Sequence, residues 1–148
     1  MSHSIDTPES HYDARIRFSF ERQQVMQILD ARLVNVIPGE VHIEMPYSPT
    51  ITQQHGYVHA GIITTILDSA CGYAAYSQMP SDRSVLSVEF KVNFLHPAQG
   101  ENFLGIGKVI KSGRTLTVCS GEMHALYQGE SKLVAIMQAT MIAVTRYM

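Results

Sequence analysis

A single carboxylate lies within a long run of apolar and small residues, and its position makes it the first candidate for chemistry in this sequence. The stretch 53–68 reads QQHGYVHAGIITTILD, and Asp68 is the only Asp, Glu, Lys or Arg from Gly56 through Tyr76. A carboxylate in such surroundings is costly to remove from water, so it is paired, hydrated or used in a reaction. The plain alternative is a solvated helix face, but such a face carries Lys, Glu, Gln or Arg. We therefore interpret Asp68 as a candidate active-site carboxylate.

The element that carries Asp68 is predicted to be an α-helix from near His59 to about Ser77, ended by Met79-Pro80. At about 100° per residue, its apolar side chains form one broad face, and the opposite face is small and mildly polar. A small face lets another backbone or a ligand approach closely, so Asp68 is expected in a shallow groove. The apolar face consists of Ile62, Ile63, Ile66, Leu67, Ala70, Tyr73 and Ala74, and the small face of Gly61, Thr64, Thr65, Asp68, Cys71, Gly72 and Ala75.

Strand-like runs surround this helix in the sequence. Two of them flank Pro38-Gly39, a dipeptide typical of a hairpin turn, and four more follow the helix with turns that contain Gly or Pro. The predicted fold class is α+β, a mostly antiparallel sheet wrapped around one long central helix, with a short leading helix before the first strand. Residues 1–14 are expected to be a flexible N-terminal segment, and residues 15–148 a single domain.

The first strand after the helix is predicted from the run SVLSVEFKVNFL at 84–95. Apolar and polar residues alternate in it, as in a strand that is buried on one face. Ser87 belongs to the polar set, so it is expected to lie off the apolar core face. The apolar set consists of Leu86, Val88, Phe90, Val92 and Phe94.

Composition and charge argue against several kinds of function. The chain has 148 residues, of which 45% are hydrophobic and 16% charged, as expected for one globular domain. The formal net charge is −2 with scattered Lys and Arg, so we expect neither a nucleic-acid partner nor a polybasic membrane patch. No signal-like or membrane-spanning apolar run is found, which predicts a cytoplasmic location. A small-molecule ligand is the remaining expectation.

Cysteine and histidine spacing does not indicate a metal centre. Cys71 and Cys119 lack metal-ligand spacing, and the seven histidines are dispersed along the chain. Cys71 as a nucleophile is disfavoured because no histidine is placed to activate it, and a small buried cysteine is the common case. We expect no metal and no cofactor.

Several motifs occur in an order typical of one enzyme family. The first are Gly56, His59-Ala60-Gly61 and Leu67-Asp68-Ser69-Ala70, in which Asp68 follows His59 by nine positions. The later ones are the run 87–95 before Pro97-Ala98, the turn 113–116 and the run 132–135. Each motif is weak alone, whereas the ordered set is specific. From about Phe20 to Val144 the chain resembles the hotdog-fold acyl-CoA thioesterases, in particular the phenylacetate-pathway (PaaI-like) type.

This resemblance implies hydrolysis of an acyl-CoA thioester to free acid and CoA, with Asp68 as general base on water or as nucleophile. It also implies that the Ala60 backbone N–H, with Gly61 beside it, polarises the thioester carbonyl, since unpaired first-turn amides at the positive helix end suit an oxyanion. CoA is then part of the substrate rather than a cofactor. The implied catalytic residues are Asp68, Ala60, Gly61, Ser87, Gln53 and His59, and the implied substrate-binding residues are Gly56, Lys111, Gly113, Arg114 and Thr115.

Two residues depart from the family pattern. Gln53 stands where the family often has Asn, and Ala60 replaces the first glycine of a His-Gly-Gly turn. One alternative is therefore a non-catalytic acyl-CoA-binding hotdog protein, and another is a hotdog dehydratase of 3-hydroxyacyl thioesters. For His59, orienting the loop is the alternative to acting as a base.

The helix geometry predicts that two chains build each site. If Ala60 opens the helix, Asp68 lies eight residues further, about 12 Å along the axis at 1.5 Å per residue. One thioester cannot touch both groups of the same helix, so Asp68 must meet the helix N-terminus of a second copy across a two-fold axis. We expect a homodimer, and the resemblance implies that it is often doubled to a homotetramer.

Overall fold

The computed structural model describes the backbone of residues 8–146 and the side chains of residues 11–146. Its elements are α1 (Pro8–Arg22), α2 (Gln24–Ile28), β1 (Arg32–Ile37), β2 (Glu40–Pro46), a 3-10 turn (Pro49–Ile51), α3 (Ala60–Tyr76), β3 (Arg83–Phe94), β4 (Asn102–Ser112), β5 (Leu116–Tyr127) and β6 (Glu130–Thr145). The six strands form one antiparallel sheet in the order β1-β2-β4-β5-β6-β3, and α3 packs on one face of it. The predicted α+β hotdog architecture is confirmed.

The hairpin between β1 and β2 has the predicted turn. Gly39 has φ +77°, which a glycine adopts without strain, and Ile37 pairs with Glu40 on either side of the turn. The Gly39 N–H donates to Ser77 Oγ at 2.8 Å, which ties the turn to the residue just after α3. The hairpin thus anchors the C-terminal end of the central helix.

Helix α3 lies very close to the centre of the sheet. A Cβ at Gly107 of β4 would lie 2.3 Å from the carbonyl group of Ala70, so only glycine lets the helix backbone reach this depth. The buried side of α3 matches most of the predicted apolar face. Its buried residues are Ile63, Ile66, Leu67, Ala70, Cys71, Tyr73, Ala74, Ala75 and Tyr76, and the strands bury Val41, Ile43, Met45, Phe103, Met123, Ala139 and Met141 against them.

The leading helix is longer than the sequence analysis predicted. It begins at Pro8, so residues 8–14 of the expected flexible segment have helical backbone; residues 1–7 lie outside the described residues. The polar composition of this segment is the reason that no helix was predicted there. Ile16 and Phe20 of α1 are buried in the core.

The prediction for β3 was wrong at Leu86 and Ser87, and a β-bulge is the reason. Ser87 pairs with Met141 of β6, but Glu89 pairs with the next residue, Thr140, so Val88 is an extra residue. The bulge reverses the alternation, so Leu86 lies on the outer face and Ser87 lies on the helix side of the sheet. Beyond the bulge Phe90, Val92 and Phe94 lie opposite the helix-facing residues Ala139, Met137 and Ala135, as predicted.

Candidate active site

The N-terminal end of α3 leaves one backbone donor unused. His59 is the N-cap, and its Nδ1 accepts the Gly61 N–H at 2.8 Å, which places the ring proton of the neutral imidazole on Nε2. The N–H groups of Ile62 and Ile63 both donate to the His59 carbonyl oxygen. Among the described residues, the Ala60 N–H has no acceptor. It is therefore the one first-turn amide free to bind a ligand oxygen.

The loop before α3 is held by its own hydrogen bonds. The Gln53 N–H donates to the Tyr57 carbonyl oxygen at 2.9 Å, and Gln53 Oε1 accepts the His55 N–H at 2.5 Å. Gly56 has φ +86°, and its carbonyl oxygen accepts from Tyr47 Oη at 3.3 Å. The side-chain carbonyl of Gln53 is thus occupied within the loop, and its Nε2 is the group left to contact a ligand.

Asp68 is paired with the serine that the β3 bulge turns toward the helix. Ser87 Oγ donates to Asp68 Oδ1 at 2.6 Å and also contacts Met141 Sδ at 3.4 Å. A hydroxyl donor at this distance fixes one carboxylate oxygen and leaves the other available. Ser87, one of the catalytic residues that the resemblance implies, thus lies beside Asp68, although its expected direction on the strand was wrong.

A polar network that the sequence analysis missed adjoins Asp68. Ser69 Oγ donates to Gln23 Oε1 at 3.0 Å, and Gln23 Nε2 donates to Tyr73 Oη at 2.9 Å. The Tyr73 hydroxyl also lies 3.2 Å from Ser19 Oγ, and burial is the main cause that raises its pKa. Gln23 thus links the junction of α1 and α2 to α3. Its partners Ser69 and Tyr73 lie 46 and 50 positions away in the sequence, so no local pattern predicts these contacts.

The two halves of the candidate site lie in separate cavities of one chain. The cavity at the start of α3 has about 390 Å³ and is lined by Gln53, His59 and Ala60 among others. The cavity at Asp68 and Ser87 has about 290 Å³. They have no lining residue in common. Ala60 and Asp68 thus open into different cavities of one chain, and completion of the site by a second copy stays a prediction.

Four of the five predicted substrate-binding residues lie at the end of β4 and in the turn to β5, and the fifth, Gly56, lies in the loop before α3. Lys111, Arg114 and Thr115 are exposed there, and the Gly113 N–H donates to the Leu116 carbonyl oxygen at 2.8 Å. A Cβ at Gly113 would lie 2.5 Å from that oxygen, so the tight turn requires glycine. Within the described side chains Lys111 and Arg114 form no ion pair, which leaves both cations available to an anion.

The two cysteines are buried and unsuited to nucleophilic chemistry. Both are fully buried, and Cys119 Sγ donates to the Cys71 carbonyl oxygen at 3.5 Å. Burial is the main cause that raises the pKa of the Cys71 thiol well above its ordinary range and that of Cys119 to about 12. Thiolates are therefore scarce at neutral pH, which agrees with their interpretation as small core residues.

Comparison with known proteins identifies the family. Residues 55–132, more than half of the chain, match the thioesterase superfamily. The chain belongs to this superfamily. A thioesterase family protein from Silicibacter pomeroyi is 51% identical to this hotdog thioesterase, with a TM-score of 0.90 over 91% of this chain and 99% of that one. Human acyl-coenzyme A thioesterase 13 is 30% identical over 104 residues, 70% of this chain and 72% of that protein. The PaaI protein of the E. coli phenylacetic acid degradation operon shares the fold, with a TM-score of 0.83 at 17% identity over 93% and 96% of the two chains.

The membership confirms the resemblance drawn from the motifs and supports acyl-thioester hydrolysis as the general chemistry. None of the described helices of this thioesterase combines the length and the apolar character that a membrane crossing requires.

Proposed function

We propose that this thioesterase hydrolyses an acyl-CoA to the free acid and CoA, with Asp68 as the reacting carboxylate. The observation that carries the proposal is the pairing of Asp68 with Ser87 in an open cavity, on a helix whose first amide has no acceptor. The family membership supports the reaction class, and the relative named acyl-coenzyme A thioesterase supports CoA as the carrier.

The proposed reaction uses water and no cofactor. Asp68 takes a proton from a water molecule whose oxygen attacks the thioester carbon, and the Ala60 N–H donates to the oxyanion that forms. The C–S bond then breaks, and the leaving CoA thiolate takes the proton from Asp68. In the alternative course Asp68 attacks the thioester carbon, the C–S bond breaks and CoA leaves as the thiolate; water then hydrolyses the anhydride, which regenerates Asp68, and its proton goes to the thiolate. Ser87 holds the carboxylate in its reactive direction in either course.

The proposed active site lies between two copies of the chain. Strand β3 is the edge of the sheet beside Asp68, and within the described chain only one of its sides pairs with another strand. Leu86, Val88, Phe90 and Phe94 on this strand are between 43% and 54% exposed, and a long apolar edge strand is a ready template for pairing with a second chain. Pairing of two β3 edges across a two-fold axis brings Asp68 of each copy toward the α3 N-terminus of the other. We propose this homodimer, doubled to a tetramer, as the working form.

The turn with Lys111 and Arg114 supplies cations for CoA phosphates.

The test is thiol release from a panel of short, long and aromatic acyl-CoAs with wild type, Asp68→Asn and Asp13→Asn. Asp13 is a suitable control because its carboxylate is exposed and, among the described side chains, forms an ion pair only with Arg17 of α1. We expect Asp68→Asn to lower kcat by orders of magnitude with unchanged secondary structure and association, while Asp13→Asn retains wild-type rates. Wild-type turnover in Asp68→Asn would overturn the role of this carboxylate.

A non-catalytic acyl-CoA-binding protein is the second candidate, favoured by the occupied side-chain carbonyl of Gln53. It requires acyl-CoAs to bind wild type and Asp68→Asn with equal affinity and to remain intact. A hotdog dehydratase instead requires loss of water from a 3-hydroxyacyl-CoA without thiol release. Both alternatives are decided by adding a 3-hydroxyacyl-CoA to the panel and by following thiol release, enoyl absorbance and binding affinity together.

A further inference from the structure

A third cavity adjoins the Asp68 cavity and leads to three arginines. It has about 360 Å³ and shares Ser19, Gln23 and Tyr73 with the Asp68 cavity, so the two are neighbouring parts of one depression. We call it the arginine pocket. Its other lining residues are Arg15, Phe18, Arg22, Tyr76, Ser84 and Arg146.

Arg15 is held rigidly in this pocket. Its Nη2 donates to the carbonyl oxygens of Tyr76 at 2.7 Å and Met79 at 3.0 Å, at the end of α3, and its guanidinium carbon lies 4.3 Å from the centre of the Tyr76 ring. Its Nε is buried and has no hydrogen-bond partner among the described residues. Burial is the main cause that lowers the pKa of Arg15, and the nearby positive charge of Arg146 lowers it further. Arg15 therefore carries an unused donor and a like-charge neighbour.

No ion pair with a described carboxylate compensates the positive charges of the pocket. Among residues 11–146, no carboxylate forms an ion pair with Arg15, Arg22 or Arg146. Arg17 on the same helix shows the usual arrangement, since its Nε lies 3.1 Å from Asp13 Oδ1. Three guanidiniums around one cavity, without an ion-paired carboxylate among these residues, create a positive site whose natural ligand is a carboxylate or a phosphate.

We propose that the substrate's acyl group ends in a carboxylate that binds in the arginine pocket, so that the substrate is a CoA monothioester of a dicarboxylic acid. This inference rests on the proposed function. Tyr73 and Tyr76 follow Asp68 by five and eight residues, which places the pocket about 8 to 12 Å from Asp68 along the helix axis. The methylene groups between the two ends would pass over Gly72 and Met141, where the Asp68 cavity offers apolar contact.

Selectivity follows from the same charges. A plain alkyl chain that entered the pocket would remove the guanidiniums from water without pairing them, which makes it a poor substrate at equal length. A terminal carboxylate would accept charge-assisted hydrogen bonds from the exposed guanidiniums of Arg22 and Arg146, beside the fixed positive charge of Arg15. The pocket thus selects for the far end of the acyl group, whereas Asp68 and Ala60 act on the thioester.

The test compares the CoA monothioesters of adipate, suberate and sebacate with hexanoyl-, octanoyl- and decanoyl-CoA. We expect kcat/KM to favour the dicarboxylic series by about tenfold or more, as for hydrogen bonds to a charged group. Arg22→Gln and Arg146→Gln should each lower this preference about tenfold, and Arg22→Lys should restore part of it. Arg17→Gln is the matched control on α1 and should keep the wild-type preference. Arg15 is left intact because it also caps α3.

N-acetylcysteamine thioesters of the same acids separate the two sources of anion, since they contain no phosphate. The preference and its dependence on Arg22 should persist with them. Equal rates for the two CoA series would overturn the inference and leave the proposed function standing. A preference that disappears with N-acetylcysteamine esters would also overturn it, because the anion is then a phosphate of CoA. If no thioester is hydrolysed, the proposed function fails. Calorimetric titration with suberyl-CoA and octanoyl-CoA then tests the inference by itself. The inference fails if Arg22→Gln weakens the binding of both compounds equally.

Discussion

Replacement of Ala60 by proline removes a single N–H from the proposed site and puts the proline Cδ in the place of its hydrogen. Ala60 is the first residue of α3, the position where proline is best tolerated in a helix. Its N–H has no acceptor in the described structure, so no intramolecular hydrogen bond is lost. The preceding residue, His59, has φ −58° and ψ 136°, the extended conformation that a following proline favours. We expect Ala60→Pro to fold with a stability within about 1 kcal/mol of wild type.

The expected cost to catalysis is much larger than the cost to folding. Loss of one oxyanion donor typically lowers kcat by about 10² to 10³, or about 3 to 4 kcal/mol of transition-state stabilisation. Gly61 cannot replace the missing donor, because its N–H is already bound by His59 Nδ1. The effect should therefore approach the full value. Ala60→Ser keeps the N–H and adds only a hydroxyl, so it is the control for a change of side chain.

The assay is steady-state thiol release with the best substrate of the panel, beside urea unfolding of each variant. We expect the kcat of Ala60→Pro to be at least about a hundredfold below that of Ala60→Ser, and the two variants to have similar unfolding midpoints. It is refuted if Ala60→Pro is stable and turns over at the rate of Ala60→Ser, since the carbonyl would then be polarised elsewhere.

Three further outcomes are expected. Ser87→Ala should lower kcat about tenfold, because one oxygen of Asp68 loses a hydrogen bond to a charged group. Ser87→Thr keeps a hydroxyl and should recover most of the lost rate. Equal rates in wild type, Ser87→Ala and Ser87→Thr would contradict a role of Ser87 in holding Asp68. His59→Ala should lower the unfolding free energy by about 1 kcal/mol through loss of the cap on Gly61, measured in urea, and an unchanged midpoint would contradict the cap. Burial raises the pKa of Cys119 in the folded state to about 12, whereas an unfolded thiol has a pKa of about 8.5, so the stability that the protonated Cys119 contributes is complete below about pH 8.5 and is lost as pH rises from about 8.5 to about 12. From pH 7 to pH 10 the unfolding free energy of wild type should therefore fall by about 2 kcal/mol more than that of Cys119→Ala. Equal falls in the two proteins would refute this.

The sequence was most informative where a residue type fixes the backbone by itself. Pro38-Gly39 marked the first hairpin, and Met79-Pro80 led to a predicted end of α3 at about Ser77, one residue after the observed end at Tyr76. The apolar period of α3 also identified the face that packs on the sheet. These features depend on local conformation and on burial of one helix face, which a short window of sequence contains.

The features that escaped prediction depend on register and on distant contacts. Apolar and polar residues alternate through Val88 without a break, so only the pairing of β3 with β6 reveals the bulge that turns Ser87 toward Asp68. The hydrogen bonds of Gln23 to Ser69 and Tyr73 join residues that no motif connects. The arginine pocket likewise gathers Arg15, Arg22 and Arg146 from opposite ends of the chain.

Subunit complementation is the most direct test of the claim that two chains build each active site. We expect Asp68→Asn and Ala60→Pro each to disable every site of the proposed homodimer. In a mixed dimer, one proposed site would combine Asp68 of one copy with Ala60 of the other and would be fully wild type. Equal amounts of the two variants, unfolded together and refolded, should therefore regain about a quarter of wild-type activity, since half of the randomly paired dimers are mixed and each has one intact site. No gain above the two separate variants, with mixed dimers demonstrated by differential tags, would contradict the shared site.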